Sequence, residues 1–500
     1  MTRWKHAQSW LALTLILLVG AGLRLGALGH DLRLHPDEAL FSTFAREAAL
    51  NGAWLLPGDL DKPPLAIYAG ALSMTLTAAR LTPEGVLDFS IRQGEFAARL
   101  PNTFAGIILI AVVYALGRTL YRDRRIGLLA AGLIALSPLA LAFSATAFTD
   151  GLMLTLMTLA LLMIAGRSPR WSWAGLWLGL AFASKPQALF YLPLVIGLGL
   201  ALHRTQRPIH ALAHFVLPPL LVIAALLVWD AARGQSTSMW ALAAANNNPA
   251  RLIRADEWLP RLGAWLGYAQ AFFSPRGLAL LALIPLITAV RIRRQPACRA
   301  ALIDVALLTF VLAYGLLHWL VAFNLYDRYL LPLLPTMCLL GASALLGLWD
   351  GLPRLRALWL AAGLMVMGSM LLGAFEAGAG RCAVGADRGR HAGIDQLADY
   401  LNAQPLGAII YDHWLNWELG FYMGQWSDKR RVYYPSTAAL TADALAQPDP
   451  ADRFFPFPRD QAAEPWLEAL EAAGFAVERV YDQAGFVVYR LTPPMREIGG

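Results

Sequence analysis

Carboxylates and cations recur in this sequence at the ends of long apolar runs, where ionisable side chains are rare. The stretches are Asp37-Glu38, Asp61-Lys62, Asp150, Lys185 and Arg328-Tyr329. A carboxylate can take a proton from a hydroxyl group, and lysine or arginine can bind an anion such as phosphate. An ionisable group at membrane depth costs about 2.5–3.5 kcal/mol even on lenient scales. We therefore expect these groups to face a cavity or a partner.

Each group also has a purely structural interpretation. The range 37–50 has helical spacing, so its first two carboxylates could cap a short interfacial helix. Asp150 and Lys185 lie at two turns between apolar runs and could form an ion pair that joins neighbouring hairpins. Arg328, with tyrosines on both sides, could anchor a span at the interface. The residue types alone leave both interpretations open.

Two prolines fix the position of Lys62. A residue before proline avoids the helical region of backbone space, so Lys62-Pro63-Pro64 predicts an extended segment. The apolar helix expected over 65–81 then begins directly after it. This arrangement holds a cation at the membrane surface, next to Asp61.

Composition identifies the class of protein. The 500 residues are 57% hydrophobic and 15% charged, with a mean hydropathy of +0.49, whereas soluble proteins carry about 25% charged residues. Apolar blocks of roughly 18–22 residues can cross a hydrocarbon core about 30 Å thick. The net charge of +7 arises in short loops and does not indicate a nucleic-acid partner. Three scattered cysteines favour neither a disulfide framework nor a zinc site.

About eleven spans are predicted. They cover 9–29, 96–117, 126–146, 150–166, 171–185, 187–202, 209–229, 277–290, 301–323, 329–349 and 357–375. The loops after every second span are rich in arginine, which places them and the amino terminus in the cytoplasm. An odd number of spans then puts the carboxyl-terminal tail outside. We expect an uncleaved first span, because its apolar run is long for a signal peptide.

The external regions frame two units. Residues 1–375 form the membrane unit, including an external loop over 30–95 with interfacial helices, and residues 376–500 form a small soluble α/β unit. In the tail, 393–401 predicts a helix, 408–411 and 431–434 predict strands, and 475–480 with 485–491 predict a closing hairpin. A further external region is expected over 230–276, and its part over 246–258 is either a lid or acceptor surface or an ordinary solvated loop.

The order of these motifs resembles a known family. The first span, Asp37-Glu38, Lys62-Pro63-Pro64-Leu65, Arg99-Leu100-Pro101, Asp150, Lys185 and Arg328-Tyr329 follow one another as in the GT-C membrane glycosyltransferases of the protein O-mannosyltransferase superfamily. The lipid A aminoarabinose transferases are members of that superfamily. The resemblance covers residues 1–350 and does not extend to the tail.

The resemblance implies a GT-C fold and an inverting transfer of sugar from a polyprenyl-phosphate carrier at the outer leaflet. It implies that Asp37 is the catalytic acidic residue of the first external loop and that Asp150 is a second external acidic residue. It also implies that the Asp61-Lys62 pair lies near the carrier phosphate, although many relatives carry glutamate where this chain has Asp61.

The chemistry of the residues agrees with these roles. Asp37 is the expected base for an acceptor hydroxyl, and Glu38 either orients it or caps the helix. Fixed cations stabilise the charge that grows on a phosphate leaving group. Lys62, Arg328 and Lys185 are the candidates, with Tyr329 beside them.

We therefore predict a hexosyl- or pentosyltransferase of the bacterial inner membrane, with a cytoplasmic amino terminus and a periplasmic tail. Its expected partners are a lipid-linked sugar donor, membrane lipids and a lipid, glycan or protein acceptor, with no required metal or cofactor. The alternative is a transporter or flippase of lipid-linked sugars, which would be built from paired halves with broken helices near the bilayer centre. A third possibility is a membrane anchor for a functional tail.

Overall fold

The computed structural model describes residues 2–203, 207–294, 298–382, 384–385, 389–447 and 451–494, without the side chains of 2–7 and 278–280. Seven helices in these ranges are long and apolar enough to cross a membrane: Gln8–Leu28, Ile91–Tyr121, Pro208–Ala232, Pro275–Arg294, Arg299–Leu320, Asp327–Gly351 and Pro353–Gly378. The chain is a multi-pass membrane protein. The four other predicted spans correspond to shorter helices, so the count of eleven is confirmed only in part.

The helices of the membrane unit follow one another with short connections. They are α1 (Thr2–Leu28), α2 (Pro36–Asn51), α3 (Leu65–Thr77), α4 (Ile91–Tyr121), α5 (Arg124–Leu136), α6 (Pro138–Ala142), α7 (Asp150–Ala165), α8 (Trp171–Ser184), α9 (Leu192–Leu202), α10 (Pro208–Ala232), α11 (Met239–Asn247), α12 (Trp258–Ala269), α13 (Leu278–Arg294), α14 (Arg299–Leu320), α15 (Leu334–Gly351) and α16 (Arg356–Gly378). Short 3₁₀ turns lead into α9 and α15. Arg204, one of the arginines expected in a cytoplasmic loop, lies outside the described residues.

The predicted span 126–146 is divided between α5 and α6. Pro138 has no N–H, so the carbonyl of Ile134 has no helical donor, and a straight helix cannot continue. The fully buried Arg24 of α1 supplies the missing donors, with 3.1 Å hydrogen bonds to the carbonyls of Ile134 and Ala135. A buried cation without a carboxylate partner is therefore explained by a broken helix.

The region between α1 and α4 contains α2, α3 and a small hairpin of β1 (Arg80–Leu81) and β2 (Leu87–Asp88). A capping box starts α2: the His35 side chain accepts from the backbone N–H of Asp37, and the Glu38 carboxylate accepts from the N–H of His35. The predicted interfacial helix is confirmed in extent to within a residue at each end.

The tail folds as a mixed α/β unit after α16. Its elements are α17 (Ile394–Asn402), β3 (Ile409–Asp412), α18 (Asn416–Tyr422), β4 (Arg430–Tyr433), α19 (Thr437–Ala446), β5 (Arg453–Pro458), α20 (Glu464–Ala472), β6 (Ala476–Gln483) and β7 (Phe486–Thr492). The sheet order is β4-β3-β5-β7-β6, with β3 parallel to β4 and β5 and the closing hairpin antiparallel. The predicted α17, β3, β4 and hairpin are present. The elements α18, α19, β5 and α20 were not predicted.

The tail is docked on α2 and the start of α4 in the membrane unit. Arg46 of α2 is buried and donates two 2.7 Å hydrogen bonds to the carbonyls of Gly420 and Phe421 at the end of α18. The hydroxyl of Tyr422 accepts from the N–H of Leu34 at 2.6 Å and donates to the Glu95 carboxylate at 2.5 Å. The Arg46 guanidinium also complements the partial negative charge at the carboxyl terminus of α18. These contacts fix the tail against α2.

Replacing Arg46 by methionine should loosen this docking. The substitution keeps the apolar stem but leaves two buried carbonyls without donors, a cost of about 1–3 kcal/mol each. We expect limited proteolysis within the tail to accelerate at least tenfold, since every 1.4 kcal/mol is a factor of ten. Arg381→Gln, which removes an exposed ion pair with Glu376, is the matched control and should leave the cleavage rate unchanged. Equal cleavage of R46M and wild type would contradict the docking role.

Candidate active site

A cavity of about 340 Å³ opens where the loops and short helices at one end of the membrane unit meet the tail, and we call it the charged cavity. Its lining includes Asp37, Asp59, Asp61, Lys62, Phe148, Asp150, Lys185, Asn246, Asn247, Tyr326, Arg328, Tyr329 and Trp417. Of the eight predicted site residues, the structure brings seven into this lining. Glu38 is the exception. The cavity therefore collects carboxylates and cations that are far apart along the chain.

Asp37 and Arg328 form the first of three ion pairs in the cavity. One Nη of Arg328 lies 2.6 Å from a carboxylate oxygen of Asp37, and the Asp37 side chain is 38% exposed. Arg328 also lies over the rings of Tyr326 and Phe148, at 4.5 and 5.0 Å from their centroids. Aromatic faces hold a guanidinium in one orientation. The pair therefore presents a positioned cation and a solvent-accessible carboxylate.

Glu38 points away from the charged cavity. Consecutive residues of an α-helix are turned by about 100°, so the carboxylates of Asp37 and Glu38 leave α2 on different sides. Glu38 is 4% exposed and accepts from Arg99 at 3.0 Å and from the backbone N–H of Ala147 at 2.8 Å, besides its helix-capping bond. Its oxygens are occupied by structural contacts, which makes it a positioning group for the start of α2.

Lys62 pairs with its neighbour in sequence. Its ammonium lies 2.5 Å from the Asp61 carboxylate, and both side chains are 15% exposed. The same carboxylate oxygen accepts from the side-chain amide of Asn246 at 3.2 Å. Asp61 thus fixes the lysine in the wall of the cavity and ties α11 to it. The segment 246–258, interpreted from sequence as a lid or acceptor surface or as an ordinary loop, contributes Asn246 and Asn247 to the lining.

Asp150 and Lys185 form the most enclosed pair. The lysine ammonium lies 2.7 Å from the Asp150 carboxylate, with side chains 8% and 1% exposed. Asp150 is the first residue of α7, where a carboxylate is favoured by the helix dipole, and Lys185 follows the end of α8. Both sequence interpretations apply in part, because the ion pair joins two helices and also lines the cavity.

The ring of Tyr329 lies beside this ion pair. The Lys185 ammonium lies 5.4 Å from the centre of the Tyr329 ring, within the range of a cation–π contact. Tyr329 also provides its backbone carbonyl to the hydroxyl of Tyr314 at 2.7 Å. The tyrosine therefore restricts the lysine head group rather than simply anchoring a span.

The tail contributes Trp417 to the cavity lining. Its helix, α18, follows a turn in which the buried carboxylate of Asp412 accepts from the N–H groups of Trp414 and Leu415 at 3.1 and 2.9 Å. Burial raises the pKa of Asp412 to about 6, despite these hydrogen bonds. Trp417 then packs on Phe44 of α2 with ring centres 6.0 Å apart. An aromatic side chain from the tail thus lines the charged cavity.

An apolar side pocket of about 220 Å³ adjoins the charged cavity. It shares Asp61, Lys62, Lys185, Asn247 and Tyr329 with the cavity. Its other lining residues are Pro186, Gln187, Phe190, Ala243, His318 and Phe323. A ligand with an anionic head and an apolar tail has matching surfaces in the two spaces.

Sequence reasoning gave Phe148 no role, and it included Asn246 only in a segment that was either a lid or acceptor surface or an ordinary loop. Trp417-Glu418 could from sequence line a sugar-binding surface or lie at the edge of a core, and no signal linked this pair to the membrane unit. Within the described ranges, no group of three or more His, Cys, Asp or Glu side chains could hold a metal ion. The absence of a metal requirement remains a prediction.

Comparisons with known proteins agree with this architecture. Residues 61–229 match the family described as dolichyl-phosphate-mannose-protein mannosyltransferase. The chain is 26% identical over 273 residues to an undecaprenyl phosphate-alpha-4-amino-4-deoxy-L-arabinose arabinosyl transferase of Pectobacterium carotovorum subsp. carotovorum, and 25% identical to that of Pectobacterium atrosepticum. Each match covers 52% of this chain and 43% of the relative, so the chain spans less than half the length of these curated proteins.

Two solved structures share the fold. The archaeal oligosaccharyltransferase AglB of Archaeoglobus fulgidus, in complex with an inhibitory peptide and a dolichol-phosphate, matches with a TM-score of 0.52 and 13% identity over 99% of this chain and 75% of that one. A second A. fulgidus oligosaccharyltransferase structure, with zinc and sulfate, matches with a TM-score of 0.56 and 14% identity over 96% and 72%. The predicted GT-C fold is confirmed.

Proposed function

We propose that this chain is an integral membrane glycosyltransferase that moves a sugar from a polyprenyl-phosphate donor to an acceptor hydroxyl, with inversion at the anomeric carbon. The observation that carries the proposal is the convergence of three cations in one cavity, each paired with its own carboxylate, beside an apolar pocket. The mannosyltransferase family match and the arabinosyl transferase relatives support the same reaction class.

The cations suit a phosphate leaving group. Arg328, Lys62 and Lys185 all line the charged cavity, and charge that develops on a departing phosphate is stabilised by fixed positive groups in a poorly hydrated site. Arginine adds a planar fork for two phosphate oxygens. The apolar side pocket next to Lys62 and Lys185 suits the first part of the isoprenoid chain. A donor would therefore lie with its head in the cavity and its tail toward the membrane.

Asp37 is the proposed base. It is the most exposed carboxylate among the three ion pairs, whereas Asp150 is 1% exposed and bonded to Lys185. A donor phosphate that binds Arg328 would compete with Asp37 for the guanidinium and release the carboxylate toward the acceptor. The acceptor oxygen then bonds to the anomeric carbon, its proton passes to Asp37, and the phosphate leaves with the electron pair. Asp61 and Asp150 act as positioning residues for the two lysines.

The finer assignments extend this proposal. We infer a pentose as the transferred sugar, because the curated relatives are named as transferases of an aminodeoxyarabinose unit. The acceptor is a lipid, glycan or protein that reaches the cavity beside Trp417. We also propose that the protein lies in a bacterial inner membrane with the cavity facing the periplasm, since arginine-rich loops lie at the opposite ends of α4 and α7.

Asp37→Asn should abolish transfer while donor binding persists. The variant keeps the shape of the side chain but cannot accept the proton, and general-base catalysis is worth typically 10²–10⁴-fold. We expect kcat to fall at least 100-fold in an assay of purified protein with polyprenyl-phosphate sugars, pentose donors included. Asp256→Asn, an equal loss of charge at an exposed position outside the lining of the cavity, is the control and should retain activity.

Normal turnover by D37N would refute the role of Asp37 as base. A panel of donors from which wild-type protein transfers no sugar would refute the enzymatic proposal. If labelled donor then crossed proteoliposome membranes unchanged, the flippase alternative would be favoured.

Lys62→Gln should weaken donor binding more than it lowers the rate of sugar transfer from the bound donor. Removing one of three cations beside the phosphate is expected to raise the dissociation constant for polyprenyl phosphate about tenfold, which corresponds to roughly 1.4 kcal/mol. Equilibrium binding in detergent measures the change. Arg251→Gln removes an exposed cation in the loop after α11, outside the lining of the cavity, and should bind like wild type. Unchanged binding by K62Q would exclude a phosphate contact.

A further inference from the structure

A second basic cavity lies at the opposite end of the helical bundle from the charged cavity. This arginine pocket, about 440 Å³ in volume, is lined by Arg118, Thr119, Arg122, Ala165, Arg167 and Arg299. Its residues come from the end of α4, the end of α7, the loop that follows α7 and the start of α14. Three helices therefore converge to form it, and it is not a single basic loop.

The positions of its residues along α7 and α14 place the arginine pocket on the opposite side of the membrane from the charged cavity. α7 begins with Asp150 in the charged cavity and ends with Ala165 in the arginine pocket, and its 16 residues span about 24 Å at 1.5 Å per residue. α14 likewise begins with Arg299 and ends beside the loop that carries Arg328. The pocket thus lies near the other membrane interface, away from the reaction proposed above.

The charge of the pocket is not neutralised by acidic neighbours. Arg299 donates to the carbonyls of Leu120 and Ala165, at 2.8 and 3.4 Å, which are at helix carboxyl ends. Those ends offset part of one positive charge. No carboxylate is among the lining residues, and the nearby Asp123 is bonded to Arg125 at 2.9 Å. Three exposed arginines therefore share one concave surface.

We propose that the arginine pocket binds the phosphate head group of an anionic phospholipid in the leaflet opposite the active site. Arginine forks match phosphate oxygens, and basic pockets between spans at a membrane interface suit anionic lipid head groups. The occupant would join the ends of α4, α7 and α14, and α7 carries Asp150 of the charged cavity at its other end. Arginines that serve only to orient the chain would not need to converge.

The test compares two double variants with wild type by native mass spectrometry of the purified full chain. Arg122→Gln with Arg167→Gln removes two cations of the pocket, and Arg293→Gln with Arg294→Gln removes two exposed cations of α13 that do not line it. Phosphatidylglycerol is the probe, phosphatidylcholine the zwitterionic reference and inorganic phosphate the free-anion reference. Melting temperatures establish that both double variants are folded.

We expect one retained phosphatidylglycerol on wild type, with affinity at least tenfold weaker in R122Q/R167Q and unchanged in R293Q/R294Q. Equal weakening in both double variants would show diffuse surface charge and overturn the proposal. Equal retention of phosphatidylcholine, or saturation by inorganic phosphate at the same concentration as lipid, would overturn it as well. Because the readout is lipid retention and not transfer, failure here leaves the proposed catalytic function untouched.

Discussion

The rest of the structure depends on the cost of placing charge at the edge of an apolar phase. An isolated charge there is expensive, but a paired and hydrogen-bonded charge is tolerated. The protein meets this constraint with three acid–base pairs in one cavity: Asp37–Arg328, Asp61–Lys62 and Asp150–Lys185. Each pair also positions a cationic side chain that can bind an anion. The ion pairs that lower the free-energy cost of placing these charges in the folded protein are therefore the ones that a donor phosphate must rearrange.

Contacts of α2 with its neighbours help to hold these ion pairs in position. Glu38, Arg99 and the capping bonds at His35 set the start of α2, and a turn of about 100° per residue then directs Asp37 into the cavity. The tail locks the far side of α2 through Arg46 and brings Trp417 into the lining. The two units share one site, since the tail adds Trp417 to the lining of a cavity whose charges belong to the membrane unit.

Much of this could be predicted from sequence because it follows from local rules. The extent of α2, the closing hairpin of the tail and the grouping of Asp37, Lys62, Asp150, Lys185 and Arg328 at one end of the bundle follow from periodicity and from the alternation of spans. The partner of each charge could not be predicted, because pairing depends on side-chain direction across distant segments. For the same reason, the sequence did not predict that Glu38 points away from the cavity.

Other misses have specific physical causes. Strand β5 contains Pro456 and Pro458, which argue against an internal strand. Pairing with β3 ends at Phe454, however, so beyond that residue β5 pairs only with β7, where Pro456 lies opposite Val488 and Pro458 opposite Phe486. The span predicted over 126–146 is broken at Pro138, and only the three-dimensional contact with Arg24 shows how the chain satisfies the freed carbonyl.

The most direct test of the central claim is a cryo-EM structure of the purified protein with a polyprenyl phosphate bound. The account predicts phosphate oxygens within hydrogen-bond distance of Arg328 and Lys62, the isoprenoid beside Phe190, and the carboxylate of Asp37 separated from the guanidinium. A phosphate bound elsewhere, with the pair between Asp37 and Arg328 intact, would contradict it.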